Sequence, residues 1–296
     1  VDDDGCLPLL VLSESAVVHS AERPSYLSSE SLPMTTFPFA LSDDLRLAVD
    51  AARAAAQVIA ERYHAAPSTI QRKDGGKGEV TETDLAAEAA IFDVLAASTH
   101  GILSEEAGGS ADLSDLWIVD PVDGTTNFSR RLPLCAVSIG LRVAGQLQLG
   151  VILHPVTGDL FLAERGQGAW RNEERMQVAP TSDPSLAVIY LTHGYASEHR
   201  ARHGQALARF AETSYTRAFG STAVELSYVA AGCGDAWICS GDELWDFAAG
   251  MVLVEEAGGR VSDWHGNDWD GESTFTIVSN GAMHEFLVDT VGDLQP

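Results

Sequence analysis

Lysine is almost missing from this chain: of 18 basic residues only Lys73 and Lys77 are lysines, and the basic residues face 43 acidic ones for a net charge of −25. So little positive charge argues against a protein that gathers nucleic acid or an anionic membrane through a general positive field. An anionic substrate would need a local attractor, such as bound cations. The lysine shortage fits a GC-rich genome and a salt-rich cytoplasm equally well. Cysteine is sparse too. Cys6, Cys135, Cys233 and Cys239 form no CxxC pair and no framework spacing, which excludes a disulfide-stapled scaffold and points to a reducing compartment, the cytoplasm. Long apolar runs are lacking, since nothing approaches the roughly 20 residues of a membrane span. The run LPLLVL at Leu7 to Leu12 follows acids instead of the basic start of a signal peptide.

Several fingerprints are missing as well. No HExxH or other ligand spacing joins the histidines, so His154, His193, His199 and His203 read as turn and surface residues. Gly166-Gln-Gly168 lacks the rest of a dinucleotide fingerprint, and no GxSxG elbow accompanies any serine. No repeat of fixed period occurs.

What is present suffices for a large core: 296 residues, 45% of them hydrophobic. Residues 1–40 are irregular and rich in Ser and Pro. Met34 is read as a start, with the segment before it as upstream or non-native sequence; a tail that binds a partner is the rival. From Ser42 the repeat of Leu45, Val49, Ala52, Ala56 and Ile59 predicts a helix ending near His64. A glycine-rich loop, IQRKDGGKGEV, leads to a second helix capped by Thr81 or Thr83, with Asp84 at its start. Short apolar runs GILS, LWIVD, CAVSIGLRVA, QLQLGVILHP and DLFLAERG then predict strands of a largely antiparallel sheet, with turns at Gly145 and at Thr157 to Asp159. Beyond Pro184, AVIYLTH, SYTRAF, DAWICS and RVSD alternate with helices near 201–211, 221–231, 245–257 and His284. That alternation indicates an α/β layer, so the chain divides into 41–183 (α+β) and 184–296 (α/β).

Chemistry concentrates in acidic clusters. In WIVDPVDGTTNF an apolar strand delivers Asp120 to its end and Asp123 follows three residues later. Two carboxylates bracketing the Val122 carbonyl offer three oxygens to a hard cation such as Mg²⁺. The free N–H groups of Gly124 and Thr125, opening a helix, suit phosphate. ILSEEAGG puts Glu105 and Glu106 after a strand, and ELWDFAAG puts Asp246 at the head of an apolar helix. The pentapeptide EEAGG occurs twice. At Glu255 to Gly259 its glycines close a helix and it reads as structural; at Glu105 to Gly109 no helix precedes it and the acids read as ligands. Trp117 and Trp245 read as wedges holding strand and helix.

In this order and spacing, VTETD, SEE, WIVDPVDGTTNF and LWDFAAGMVLVEEAGG resemble the inositol monophosphatase family of metal-dependent, lithium-sensitive phosphatases. The resemblance runs from about Ser42 to the C-terminus. It implies an α/β/α/β/α sandwich of the inositol monophosphatase and fructose-1,6-bisphosphatase type, assembled as a homodimer. Its implied cofactor is Mg²⁺, two or three ions per site, and its implied partner a small phosphorylated metabolite, with no nucleic acid and no membrane. Carried over by position, Glu105, Asp120 and the Val122 carbonyl hold one metal. Asp120, Asp123 and Asp246 hold a second, and Glu106 lies near a weaker third. Asp84 and Thr125 match the pair that activates the attacking water, Lys73 stands in a loop near the site, and Gly124 and Thr125 cradle the phosphate. Residues 41–183 would thus bind metal and phosphate, and 184–296 recognise substrate.

The substrate is less defined. Ser221 and Thr222 match positions beside the substrate, which Asp123 and Asp246 also face, and Arg217 serves substrate or subunit contact. Cys239 stands where inositol-selective members carry a glutamate, seven residues before Asp246, which speaks against inositol 1-phosphate unless Asp242 or Glu243 reaches the same space. DGTTNF is closer to the inositol and sugar phosphatases than to the nucleotide branch with its DGTKEF-like forms. The expectation is a phosphatase of a small polyol, sugar or amino-alcohol phosphate, with inositol, histidinol and fructose 1,6-bisphosphate as candidates. The alternative is a non-catalytic, metal-dependent binding or regulatory protein.

Overall fold

The computed structural model describes residues 39–63, 71–72 and 79–294. Met34, Cys6 and Lys73 lie outside them. Helix α1 (Asp43–Tyr63) turns Leu45, Val49, Ala52, Ala56 and Ile59 inward, and all five are buried. It packs on α2 (Glu82–Leu95), which Thr81 caps: the Thr83 N–H donates to its hydroxyl at 3.1 Å. A small antiparallel pair, β1 (Gln71–Arg72) and β2 (Glu79–Val80), lies between them in sequence.

These helices cover one face of a seven-stranded sheet made from β3 (Gly101–Ser104), β4 (Leu116–Asp123), β5 (Ala136–Val143), β6 (Gln146–Leu153), β7 (Leu160–Glu164), β8 (Gly168–Arg171) and β9 (Glu174–Arg175). The strands lie in sequence order, parallel only between β3 and β4. Ala144 and Gly145, both at positive φ, join β5 to β6 in a two-residue turn whose twist suits a hairpin. The sequence pattern did not reveal β8 and β9, which are too short to carry a period.

After α3 (Thr125–Ser129), the second half of the chain supplies α4 (Ser197–Ala211), α5 (Thr222–Ala230), α6 (Leu244–Glu256) and α7 (His284–Val291) around a five-stranded sheet. Its strands are β10 (Val188–His193), β11 (Tyr215–Arg217), β12 (Ala236–Ser240), β13 (Arg260–Asp263) and β14 (Phe275–Ser279), in the order β11-β10-β12-β14-β13. Strand β14 was not foreseen. It makes this sheet mixed: β10 runs parallel to both neighbours, whereas β14 is antiparallel to β12 and β13. Helices α5 and α6 fill the space between the two sheets, and α4 and α7 cover the far face. The layers are therefore α/β/α/β/α. Phe247 to Val254 are buried without a break, as a helix enclosed on all sides requires.

Helix α6 lies against the large sheet with almost no side chain between. Gly140 and Gly150 face each other across β5 and β6 beneath it, and a Cβ on Gly150 would meet the Ala249 carbonyl oxygen at 2.2 Å. On the side toward α5, a Cβ on Gly250 would meet Leu226 at 2.5 Å. At the far end, Gly258 (φ +91°) and Gly259 return N–H groups to Glu255 and Val254, so the second EEAGG closes the helix as its pattern indicated. Its acids tie down a hairpin: Glu255 pairs with Arg165 at 2.8 Å, and Glu256 accepts from the N–H groups of Gly166 and Gly168. Trp117 is wholly buried and Trp245 half-buried against the central core.

His154 is neither a turn nor a surface residue. It is 1% exposed, with its ring against Phe161 and Tyr228. Ser227 donates its hydroxyl to the Val224 carbonyl, so His154 Nε2–H is the donor to the Ser227 oxygen 3.0 Å away. Burial lowers the His154 pKa from 6.5 to about 4.

Substituting Gly150→Ala forces α6 off the sheet and is expected to cost about 1–3 kcal/mol, read as a fall of several degrees in the thermal midpoint. The unfolded chain protonates His154 near pH 6.5 and the folded chain only near 4. The contribution of the neutral ring is thus complete above pH 6.5 and is lost as pH falls through that window, by about 3 kcal/mol. Denaturant melts between pH 7 and 4 should show this slope in the wild type and a shallower one in His154→Gln.

Candidate active site

Strand β4 is buried along its whole length and does not stop at Asp120 but runs on to Asp123. Asp120 pairs with Ser138 and Asp123 with Ala136, so three steps on β4 oppose two on β5. In a regular strand residues three apart point to opposite faces. This bulge, in a stretch that includes Pro121, which has no N–H for the ladder, brings Asp120 and Asp123 to one cavity. Asp120 Oδ1 accepts from the Val122 N–H at 2.9 Å. Gly124 follows at φ +86°, in a gap where a Cβ would lie 2.8 Å from the Leu134 carbonyl oxygen and 3.1 Å from Ser221. The helix it opens, α3, has only five residues.

Asp123 Oδ2 accepts from the Ser221 hydroxyl and from the Ala223 N–H at 2.7 Å, which ties the end of β4 to the start of α5. Asp246 sits in the first turn of α6, half-buried, its Oδ2 accepting from the Glu243 N–H at 2.8 Å. Carboxylate oxygens of Asp120, Asp123 and Asp246 all lie within 4.8 Å of one another. Glu105 lines the same cavity and its charge acts on all three; Glu106 is half-buried and does not line it.

Electrostatics make this grouping costly without a cation. Burial comes first and the charges of neighbouring carboxylates second in holding Asp120 and Asp246 well above the usual range. Burial pushes Asp123 up to about 7 against its two hydrogen bonds. No lysine or arginine among the described residues lines the cavity. A compact, all-oxygen, anionic set with no protein cation fits a hard divalent metal such as Mg²⁺.

Beside the cluster, Asp84 is fully buried and does not itself line the cavity. Its Oδ2 accepts from the Thr81 N–H at 2.9 Å and from the Thr81 hydroxyl. Its Oδ1 accepts from the Thr125 hydroxyl at 2.8 Å, an oxygen that also lies 3.1 Å from the Val122 carbonyl. Burial raises the pKa of Asp84, and these hydrogen bonds oppose the rise. Asp84 reaches the cavity through Thr125, which lines it.

The cavity, of about 390 Å³, continues toward the second half of the chain. Val122, Gly124, Ser221 and Thr222 line it. Cys239 and Arg217 do not. Cys239 is wholly buried in the central core, where its sulfur accepts from the Asp242 N–H at 3.2 Å; it props the turn that carries Asp242. Arg217 is exposed on the edge strand β11, its guanidinium donating to the Thr216 carbonyl. Asp242 takes the place expected of Cys239 on the wall, accepting from Thr192 and Thr222 at 2.9 and 2.8 Å. Lys73 lies outside the described residues. His193, Tyr195 and His203 line the cavity too, so two of the histidines read as turn or surface residues belong to it. The signal for them was available: β10 ends in Thr-His-Gly, and in α/β layers the crevice opens at the carboxyl ends of parallel strands. Asn127 was also overlooked, although its amide bridges the Leu134 and Phe219 carbonyls at 2.8 and 2.7 Å and so fixes the loop before α5.

No helix among the described residues is long and apolar enough to cross a membrane. The sequence is 40% identical over 228 residues to the Nus factor SuhB of Salmonella typhimurium, covering 75% of this chain and 85% of that one. It is 38% identical over 227 residues to an inositol-1-monophosphatase of Mesorhizobium japonicum, covering 73% and 84%. In three dimensions it is similar to an IMPase of Thermotoga maritima, with a TM-score of 0.78 at 30% identity over 86% of this chain and 98% of that one. Residues 40–295 match the profile of the Inositol monophosphatase family, and with the layered fold and the acidic cavity already described, the chain belongs to the inositol monophosphatase family.

Proposed function

We propose that this chain hydrolyses small phosphate monoesters by in-line attack of water, with Mg²⁺ as cofactor. The observation that carries the reading is the set of buried Asp120 and Asp123 and half-buried Asp246, gathered within 4.8 Å with no lysine or arginine among the described cavity residues to neutralise it. Glu105, Asp120, the Val122 carbonyl, Asp123 and Asp246 would hold the ions, with Glu106 near a weaker one. Mg²⁺ bound there supplies the positive charge that neutralises phosphate oxygens, acidifies water and stabilises the departing alkoxide.

The protein's own groups do the rest. The Thr125 hydroxyl gives its proton to Asp84, so its oxygen is turned to accept from a water in the cavity. Asp84, buried and raised in pKa, is suited to take the proton that Thr125 passes on as the water attacks. The N–H groups of Gly124 and Thr125, exposed where β4 turns into α3, would orient the phosphate. The Ser221 hydroxyl and the Ala223 N–H hold Asp123 in place from the substrate side. Lithium sensitivity and a homodimer belong to the same proposal and rest on the family resemblance.

A second reading has one observation in its favour. Relatives such as that of Salmonella typhimurium are named Nus factor and not phosphatase, which favours a binding or regulatory role on the same fold. With that name in view, the lack of a nucleic-acid partner rests on the charge of −25 alone.

Substituting Asp120→Asn is expected to lower phosphate release with Mg²⁺ by about 10³-fold or more, since the interactions removed are worth several kcal/mol. The same change relieves repulsion, so in chelator the variant should melt no lower than wild type, while Mg²⁺ should raise the midpoint of the wild type only. Retained activity overturns the ligand assignment; a midpoint that responds to Mg²⁺ without turnover of any ester supports the second reading. Thr125→Ala is expected to lower kcat by about 10²-fold or more and Thr125→Ser much less. Equal losses in the two variants would overturn the relay.

A further inference from the structure

Glu88 is 8% exposed, on a stretch of α2 where Ala86, Ala87, Ala89 and Ala90 surround it, and it enters none of the chemistry above. A carboxylate is costly to bury unless it is hydrogen-bonded or paired. Among the described residues no basic side chain pairs with it. Its donors belong to a single turn. Glu88 Oε1 accepts from the Ser104 hydroxyl and, at 2.9 Å, from the Ala107 N–H. That turn is Glu105-Glu106-Ala107, closed by Ser104 and Gly108, which exchange N–H bonds at 2.9 Å. The Glu105 N–H donates to the Val119 carbonyl at 3.1 Å, so the turn begins against the strand that carries Asp120. Past it the chain folds back at Gly109 (φ +137°), where a Cβ would meet the Ile102 carbonyl oxygen at 2.4 Å. Glu106 is half-buried and Ala107 exposed, so the turn has little packing of its own to hold it.

It has to be held against a force. Glu105 lines the cavity and its charge acts on Asp120, Asp123 and Asp246 alike, so repulsion drives it outward when no cation lies between. We propose that Glu88 is the positioning residue for Glu105: by gripping both ends of the turn it keeps the Glu105 carboxylate at the cavity, ready to receive Mg²⁺. The proposal rests on the reading of Glu105 as a metal ligand. Glu88 does not line the cavity, so it acts through the turn and touches neither ion nor substrate. The placement on α2 has a second consequence. Glu88 follows Asp84 by four residues, about 6 Å along the axis, and residues so spaced share a helix face. That face sends one carboxylate to Thr125 and the next to the turn of Glu105. The water-binding pair and a metal ligand are thereby referred to one rigid helix, itself packed on α1.

The test reads Mg²⁺ binding by calorimetry without any ester, beside the Mg²⁺ dependence of phosphate release from glycerol 2-phosphate, in the full chain. Glu88→Ala is expected to raise the Mg²⁺ Kd and the half-activating Mg²⁺ concentration about tenfold or more, as the loss of hydrogen bonds to a charged group allows. The kcat at saturating Mg²⁺ and the KM of the ester should stay within about threefold of wild type. Glu88→Gln keeps an oxygen for both donors and should bring the Mg²⁺ Kd back to within about threefold of wild type. Ser104→Ala removes one of the two bonds and leaves Glu88 in place, so its Mg²⁺ Kd should rise about threefold or more; this variant decides the matter if Glu88→Ala does not fold. A lower thermal midpoint in chelator with an unchanged Mg²⁺ Kd makes Glu88 a structural tie alone and overturns the proposal. So does a fall in kcat at saturating Mg²⁺ with the Kd unchanged. Wild-type Mg²⁺ binding without phosphate release from any ester overturns the phosphatase reading, while calorimetry on the variants still decides this one. A wild type that binds no Mg²⁺ overturns both.

Discussion

Mutual repulsion among Asp120, Asp123 and Asp246 is the constraint to which the rest of the molecule answers. Three carboxylates with oxygens within 4.8 Å of one another, two of them buried, would move apart or take up protons unless something rigid held them, and each comes from a part of the chain fixed by other means. Asp120 and Asp123 belong to a strand buried on both faces, and a bulge between them turns both to one side. Asp246 belongs to a helix pressed so closely on that sheet that Gly150 beneath it leaves no room for a side chain. The apolar layers thus bear the electrostatic cost of the site. A divalent cation would remove that cost.

The polar shell around the cluster follows the same logic. Asp84 caps α2 through Thr81 and at the same time accepts from Thr125, so a helix terminus and the edge of the cavity share one carboxylate. Asp123 is held by Ser221 and the backbone of Ala223, which couples the first sheet to the first turn of α5. Asn127 clips the loop before α5 by its carbonyls. Because these bonds cross between the halves of the chain, displacing α5 would move a carboxylate of the cluster. The proposed hydrolysis asks nothing further of the scaffold than that these positions stay fixed.

At the far end of the cavity the design changes. There His193, His203, Asp242 and Glu243 stand around an open space. The two imidazoles are oriented by backbone carbonyls at the end of β10, and Asp242 is held by two threonines and by the sulfur of Cys239.

Local order in the sequence determined a good deal. The apolar repeat of α1, the capping at Thr81, the Ala144-Gly145 turn and the glycines closing α6 each depend on neighbours a few residues away, and each was legible for that reason. WIVDPVDGTTNF and its companion motifs also pointed to the five-layered fold. Tertiary structure alone decided the rest. A bulge cannot be read from one strand, because it is a mismatch between two, and without it Asp120 and Asp123 would not share a cavity. Whether Cys239 or Asp242 lined the cavity, an alternative the sequence left open, depended on how β12 lay against α5 and α6, and only Asp242 does so. His154 went to the core while His193 and His203 went to the cavity. Three histidines alike in sequence thus have different surroundings, because burial is a property of the layers that close over a residue and not of the residues beside it in the chain.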